Sequence, residues 1–388
     1  MTKTIRWLAS GVVVLSLLML PMVACGPAAP GEKAPIKIGA IIPYTGPGSA
    51  TVQYIEASLD YCLEGARWEV AGRQIELLKE DETPDPTVAV AKAKKLVEED
   101  KVNVIIGPLL GHTADAVSAY LEGSGIPHIY IGSAMLEHTG RAEDFMPSLL
   151  IADYIPLIGH YAYDVLGYRT ASLLYADYAY GYWVVEAFTA GFTERGGSII
   201  QEQAVPMEEL EMPPYIAAIK KTADCVATML VGPASVNFPR QAKEYGLDMP
   251  ILVMAAAPLE EPVLAQIGDA GLGMISTDLY SPLINTPENQ RFVKEYADKC
   301  GIIPGFQAHA ACVAVSLYLE ALRATGGDTT WDKISEAMRT IEFTNPQGST
   351  VKMKSGGTAI TDAYILECVK IDDRYAWKPI LTIPEVGK

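Results

Sequence analysis

Apolar and polar residues alternate along the chain in blocks that predict repeated strand–helix units. VNVII, residues 102–106, is a short β-branched run typical of a strand buried on both faces. After GPLLGHT, the apolar residues between Ala116 and Leu121 recur at helical spacing, and HIYI, residues 128–131, is the next apolar run. Residues 102–134 therefore predict one βαβ unit.

The same alternation occurs in two successive sets along the chain. The first set begins with IKIGAII, residues 36–42, and the second with TASLLYA, residues 170–176. GLGMISTDLY, residues 271–280, predicts a segment that crosses back to the first lobe. The helices predicted after it are long enough to cover the first sheet again. The predicted fold class is therefore α/β, with two doubly wound parallel-sheet lobes joined by a hinge.

The chain is longer than a single hydrophobic core usually covers, so two lobes also suit its length. We assign residues 36–152 to the first lobe and 153–278 to the second. Residues 279–342 return to the first lobe, and residues 343–388 complete the second lobe and form the tail.

The loops that follow two neighbouring strands of the first lobe predict a ligand site. Parallel strands joined by a right-handed crossover bring Gly111–Thr113 and Gly132–Ala134 to the same edge of the sheet. A helix that starts there presents unpaired backbone N–H groups and a partial positive charge. An anionic group such as a carboxylate is the expected guest.

The amino end predicts export. Lys3 and Arg6 precede an apolar run, and small residues lead to Cys25, so residues 1–24 are typical of a signal peptide. PMVACG resembles the lipobox of bacterial lipoproteins, which implies a lipidated Cys25; the alternative is an ordinary cleaved signal with a chance cysteine. Residues 25–35 then form a Pro/Gly/Ala tether to the membrane surface.

Charge and motif content exclude several function classes. The formal charge of −17 becomes −19 without residues 1–24, which carry two positive and no negative charges. Such a chain lacks the basic footprint that nucleic acid requires. Five cysteines beyond Cys25 show no metal-binding spacing, and no catalytic motif of a hydrolase, zinc protease or nucleotide-binding enzyme is present. We therefore expect no metal, no cofactor and no enzymatic activity.

Several segments in order resemble one known family. KIGAIIPYTGP, KEDETPDP, IIGPLLGHT, GIPHIYIGSA and RQAKEYGLDMPIL are similar in sequence and spacing to segments of the branched-chain amino-acid-binding proteins. The resemblance implies the type I periplasmic-binding-protein fold. It also implies an extracytoplasmic receptor that traps a small solute between two lobes and delivers it to the membrane permease of an ABC importer.

The resemblance also implies which residues contact the solute. First-lobe loops of the family bind the carboxylate, and the matching positions are Gly111, His112, Thr113, Ser133 and Ala134. Gly111 replaces a usual Ser and Ala134 a usual Thr, so backbone N–H groups remain while hydroxyls are fewer. For Ser133 the alternative is a local turn hydrogen bond, and for His112 a role only in starting the helix.

On the second lobe the resemblance implies an aromatic ring at Tyr180, with Tyr178 beside it, and an acid within residues 255–257. The latter segment contains only alanine, with Ala256 at its centre. An ammonium group buried without a counter-charge is costly, so an aromatic or aliphatic acid or amide without an α-amino group is an alternative solute. Phe306 matches an aromatic residue that lines the apolar side of the pocket.

We expect a monomeric solute receptor of an ABC importer. A module that senses a ligand for a separate membrane receptor has the same fold and is the main alternative. A DNA-binding repressor of related fold is opposed by the export signal and by the negative charge.

Overall fold

The computed structural model describes residues 33–46, 48–132 and 140–388. Cys25, Ser133 and Ala134 lie outside these described residues, as does the segment predicted to be a signal peptide. In the described ranges no helix is both long enough and apolar enough to cross a membrane.

The first sheet has six strands, and its order β2-β3-β1-β4-β5-β6 places the earliest strand near the centre. All its pairs are parallel except β2 with β3. The strands are β1 Ile36–Ile42, β2 Glu69–Val70, β3 Arg73–Asp81, β4 Val104–Ile106, β5 His128–Ile129 and β6 Asp144–Phe145.

The second sheet has nine strands in the order β12-β13-β14-β11-β10-β9-β7-β8, with β15 paired to β14. The pairs among β7 to β11 are parallel, and the later strands are antiparallel. The strands are β7 Thr170–Ala176, β8 Ser198–Val205, β9 Cys225–Met229, β10 Ile251–Val253, β11 Ile275–Asp278, β12 Glu342–Thr344, β13 Thr350–Met353, β14 Ala359–Ile371 and β15 Arg374–Val386. These two parallel-dominated sheets confirm the predicted α/β class.

Eleven α-helices lie in the described ranges, and local chemistry fixes several of their ends. The Asp85 carboxylate accepts from Thr87 N at the start of one helix, and the Thr286 hydroxyl accepts from Asn289 N at the start of another. The helices are α1 Val52–Gly65, α2 Pro86–Lys94, α3 Gly111–Leu121, α4 Ile151–Asp164, α5 Ala179–Glu194, α6 Pro213–Ala218, α7 Gly232–Glu244, α8 Glu261–Ile267, α9 Pro287–Cys300, α10 Phe306–Ala324 and α11 Trp331–Thr340.

Helix packing divides the chain between the two sheets. In the first lobe, helices α1–α3 and α9–α11 accompany the first sheet, and α1 packs on α10. A disulfide between Cys62 and Cys312 joins these two helices across 250 residues of sequence. In the second lobe, helices α4–α8 accompany the second sheet, and α4 packs on α5. The chain passes between the lobes after β6, after β11 and after α11.

Candidate functional site

The buried carboxylate of Glu82 organises the loop at the carboxyl edge of the first sheet. Glu82 follows β3 and accepts hydrogen bonds from Leu109 N at 2.9 Å and Leu110 N at 2.7 Å. The Thr113 hydroxyl donates to the same carboxylate at 2.5 Å and lies 2.7 Å from the Leu110 carbonyl oxygen. Burial raises the pKa of Glu82. Thr113, predicted to contact the ligand, is therefore fully buried and bonded to this loop.

Gly111 and His112 form the start of α3, where first-turn N–H groups have no acceptor within the helix. His112 is exposed, and its Nε2 lies 3.0 Å from the Pro84 carbonyl oxygen. A Cβ atom on Gly111 would lie 3.4 Å from the indole ring of Trp183, which belongs to α5 of the second lobe. The absence of a side chain at Gly111 therefore lets the two lobes approach closely at this point.

Phe306 lies beside the second predicted loop of the first lobe. It is the first residue of α10 and only 7% exposed. A Cβ on Gly132, which directly precedes Ser133, would lie 3.6 Å from the Phe306 ring. The structure thus brings Phe306 to the carboxyl edge of the first sheet, where the sequence places the anion site.

Aromatic rings of the second lobe gather at the start of α5. Tyr178 precedes the helix, Tyr180 lies in its first turn, and their ring centroids are 6.2 Å apart. Trp183 follows one turn later, on the same side of the helix as Tyr180. Burial raises the pKa of both phenols, so they stay neutral and offer apolar faces with hydroxyl tips.

Ala256 and Phe306, two of the predicted contact residues, line the same cavity. Ala256 follows β10 in the second lobe and Phe306 begins α10 in the first, so both lobes form its wall. Its other lining residues are Tyr54, Ala257, Glu260, Glu261, Pro262, Asp278, Tyr280, Ser281, Pro282, Ile303, Pro304, Gly305 and Trp377.

Two carboxylates line this cavity, Asp278 buried and Glu260 partly exposed. Glu260 precedes α8 and accepts a hydrogen bond from Gln307 N, in the first turn of α10, at 3.1 Å. Asp278 ends β11, is 2% exposed and accepts from Leu279 N at 2.7 Å. Burial raises the pKa of Glu260 to about 7 and that of Asp278 to about 8, and repulsion from Glu260 adds to the shift of Asp278.

Sequence reasoning did not select Asp278, Tyr280, Trp183 or Glu82 for the site. Asp278 had a visible signal, because it is an acid at the end of an otherwise uncharged run in the crossing segment. Trp183 could have been found from its helical spacing to Tyr180. Glu82 gave no such signal, since its role depends on the fold of a loop 28 residues away.

Within the described ranges, no cluster of three or more His, Cys, Asp or Glu side chains has the arrangement needed to hold a metal ion. The arrangement is instead that of a binding pocket, with aromatic walls and a few buried polar groups.

Comparison with known proteins gives concordant matches. Residues 35–373 match the family model described as periplasmic binding protein. Leu/Ile/Val-binding protein homolog 6 of Brucella melitensis biotype 1 is 25% identical over 361 residues, covering 91% of this chain and 92% of the homolog.

Two solved structures are also similar. An ABC transporter substrate-binding protein from Sphaerobacter thermophilus has a TM-score of 0.86 at 30% identity, covering 90% of this chain and 98% of that one. A solute-binding protein of an ABC transporter from Rhodopseudomonas palustris BisB5, in complex with 3,4-dihydroxybenzoic acid, has a TM-score of 0.84 at 26% identity, covering 92% and 98%.

Proposed function

The chain belongs to the periplasmic binding protein family, and on that premise we propose that it binds a small carboxylic acid between its lobes and delivers it to an ABC permease. Family membership makes it a solute-binding protein acting outside the cytoplasm, and not an enzyme. Attachment through a lipidated Cys25 and a monomeric state are part of the same proposal.

The observation that carries the proposal is the cavity lined by Ala256 of one lobe and Phe306 of the other. A solute held there touches both lobes at once. Because a ligand shifts a conformational equilibrium only through its preference for one state, contacts to both lobes favour closure. The closed form is then the one offered to the permease.

Two parts of the site suit a carboxylic acid with an apolar body. The first turn of α3 at Gly111 and His112 provides N–H groups for the carboxylate. Tyr178, Tyr180 and Phe306 provide rings for the apolar part. A micromolar dissociation constant requires only about 8 kcal/mol, which one carboxylate and one buried apolar group can supply.

Two classes of acid fit these features. The Brucella relative is named for leucine, isoleucine and valine, and the Rhodopseudomonas protein holds 3,4-dihydroxybenzoic acid. Residues 255–257, all alanine, favour the class without an α-amino group. A receptor that senses such a solute for a membrane partner remains the alternative to transport, and capture of membrane partners from the native cell distinguishes the two.

A thermal-shift screen of amino acids, aliphatic acids, aromatic acids and amides tests the proposal. A ligand at 100 times its dissociation constant stabilises the folded chain by about 2.7 kcal/mol, which raises the melting temperature measurably. Small-angle scattering on each hit should show compaction as the lobes close. If no carboxylic acid raises the melting temperature, or if hits cause no compaction, the proposal is wrong.

A further inference from the structure

His128 is buried at the start of β5, and both of its ring nitrogens lie against oxygen atoms. Nδ1 is 3.0 Å from the Asp144 carboxylate, and Nε2 is 3.0 Å from the Gly107 carbonyl oxygen. The side chains of His128 and Asp144 are both fully buried. A carbonyl oxygen and an ionised carboxylate only accept hydrogen bonds, so each ring nitrogen needs its own proton to bond there. A neutral imidazole would leave the lone pair of one nitrogen facing an oxygen.

The other hydrogen bonds that the described residues offer to the Asp144 side chain come from donors. The Ser118 hydroxyl of α3 lies 2.7 Å from both carboxylate oxygens, and Arg141 N lies 3.4 Å from one of them. The Arg141 guanidinium donates to the Ser118 oxygen at 3.1 Å, so the hydroxyl proton is directed at Asp144. These donors suit an ionised carboxylate, whose negative charge a doubly protonated His128 balances.

Neighbouring titratable and charged groups do not supply that balance in place of His128. The ring centroid of Tyr130 lies 4.5 Å from that of His128, and burial raises the pKa of this phenol, so it stays neutral. Arg141 lies 3.1 Å from Asp115, which matches the arginine charge. The buried carboxylate of Asp144 therefore has His128 as its closest ionic partner among the described residues.

The second hydrogen bond of His128 reaches the loop that leads to the proposed anion site. Gly107 follows β4, and its N–H also bonds to β5. Three residues later Leu110 N donates to Glu82 at 2.7 Å, and α3 begins at Gly111. Loop 107–110 is thus held at its start by β5 and at its end by Glu82. These contacts fix where the first-turn N–H groups of α3 point.

We propose that His128 is a buried imidazolium whose two N–H groups tie Asp144 to loop 107–110 and so position the start of α3 for a carboxylate. The inference rests on the proposed function and adds a positioning residue to it. His128 is fully buried and does not touch the solute. Loss of its ring should let the loop move and weaken solute binding.

The first test measures the charge of the ring without a ligand. In the full-length chain with nitrogen-15-labelled histidine, long-range proton–nitrogen spectra distinguish a doubly protonated ring from either neutral tautomer. At pH 8 an exposed imidazole with the ordinary pKa of about 6.5 is mostly neutral. We expect His128 to carry both protons at that pH. His309, whose pKa burial lowers to about 3, is the neutral reference, and His128→Gln assigns the signals.

Two variants separate positioning from charge. In Asp144→Asn the new amide can donate to Nδ1, so a neutral ring keeps its Nε2–H for Gly107 and the loop stays in place. In His128→Gln the amide turns its oxygen toward one of the two acceptors, so one bond is lost. We expect the Leu110 amide to exchange at least tenfold faster in His128→Gln and within twofold of wild type in Asp144→Asn. His160→Gln, a partly exposed histidine of α4, is the matched control and should exchange as wild type does.

Calorimetry on the same variants measures the effect on the solute, well below each melting temperature. The probes are leucine, 4-methylpentanoate and 3,4-dihydroxybenzoate, together with any stronger binder from the thermal-shift screen. We expect at least tenfold weaker binding in His128→Gln and at most a twofold change in Asp144→Asn and His160→Gln. A lower melting temperature of His128→Gln with unchanged affinity would make His128 merely structural and overturn the inference.

Other outcomes also decide the question. A His128 ring with a single proton at pH 8, or a Leu110 amide that exchanges in His128→Gln at the wild-type rate, overturns the inference and leaves the proposed function standing. If His128→Gln does not fold, Asp144→Asn decides: retained binding with a ring protonated only on Nε2 supports the inference, and any other result overturns it. A chain that binds no carboxylic acid overturns the proposed function and the positioning role together.

Discussion

A solute that carries an ammonium group should release a proton from Asp278 when it binds in the interlobe cavity, whereas an acid without an amine should not. Without a cation beside it, burial holds the pKa of this carboxyl at about 8. About nine molecules in ten are then protonated at pH 7, and about half at pH 8. An ammonium group a few ångströms away favours the ionised carboxylate. We therefore expect roughly 0.9 protons released per solute at pH 7 and about 0.5 at pH 8.

The other titratable groups around Asp278 contribute little to this count, with one exception. Burial raises the pKa of the Tyr180 and Tyr280 phenols and lowers that of His309, so none of them changes charge between pH 6 and 8. Glu261 keeps its Arg374 partner. Glu260, with a pKa of about 7, shares the titration, so the measured number belongs to the Asp278–Glu260 pair.

Calorimetry in buffers of different ionisation enthalpy measures this number directly. The slope of observed enthalpy against buffer ionisation enthalpy gives the protons released, and affinity should rise up to about tenfold from pH 6 to pH 7. Asp278→Asn should remove most of the slope, while Asp248→Asn, a control at an exposed acid of the second lobe, keeps it. A slope of zero at pH 7 for a tightly bound amine, or an unchanged slope in Asp278→Asn, would refute the reasoning.

The same raised pKa values affect stability without ligand. A carboxyl whose pKa is higher in the folded than in the unfolded chain stabilises the fold fully below about pH 4. For Asp278 that contribution is lost as the pH rises through about 8. Asp278→Asn cannot ionise, so it should melt higher than the wild type at pH 8 and at the same temperature near pH 4. Equal melting temperatures at pH 8 would contradict a buried, uncompensated charge.

Three further predictions test close contacts and the disulfide. Gly305→Ala adds a Cβ that would lie 2.4 Å from the Glu260 carboxyl carbon, so this carboxylate must move away from Gln307 N, and we expect a lower melting temperature, whereas Gly356→Ala, in open space, should leave it unchanged. Gly111→Leu should hold the lobes apart, so binding should weaken and scattering should show no compaction. Gly111→Ala is the control and should be tolerated, because its Cβ would lie 3.4 Å from Trp183. Normal compaction of the Leu variant would contradict this prediction. Replacing both cysteines of the Cys62–Cys312 disulfide by Ala should lower the free energy of unfolding by up to about 5 kcal/mol, because the disulfide closes a loop of 250 residues in the unfolded chain. An unchanged denaturation midpoint would contradict this prediction.

Much of the fold was predictable because strands and helices carry local signals. The runs at residues 36–42 and 170–176, which open the two predicted sets, are strands with those bounds in the structure. The start of α2 carries a local signal of this kind, an N-cap Asp85 followed by Pro86. The final strand Arg374–Val386 was missed, because its many exposed and polar residues give only a weak alternation.

The site was less predictable, since it depends on which side chains meet across the fold. Ala256 and Phe306 were named separately and lie on one cavity, while Thr113, named as a ligand contact, has its hydroxyl bonded to Glu82. The pairing of Glu260 with the start of α10 joins residues 47 positions apart on different lobes. Neither segment has a sequence pattern that predicts this contact.

The Cys62–Cys312 disulfide has a practical use for anyone building a fluorescent sensor from this chain. It joins two distant segments of the first lobe and does not involve the second lobe, so it should not hinder the proposed closure of the lobes. The remaining described thiols are buried at Cys225 and Cys368 and half-buried at Cys300. A new surface cysteine on the second lobe should therefore accept a dye selectively and report the solute by changes in emission.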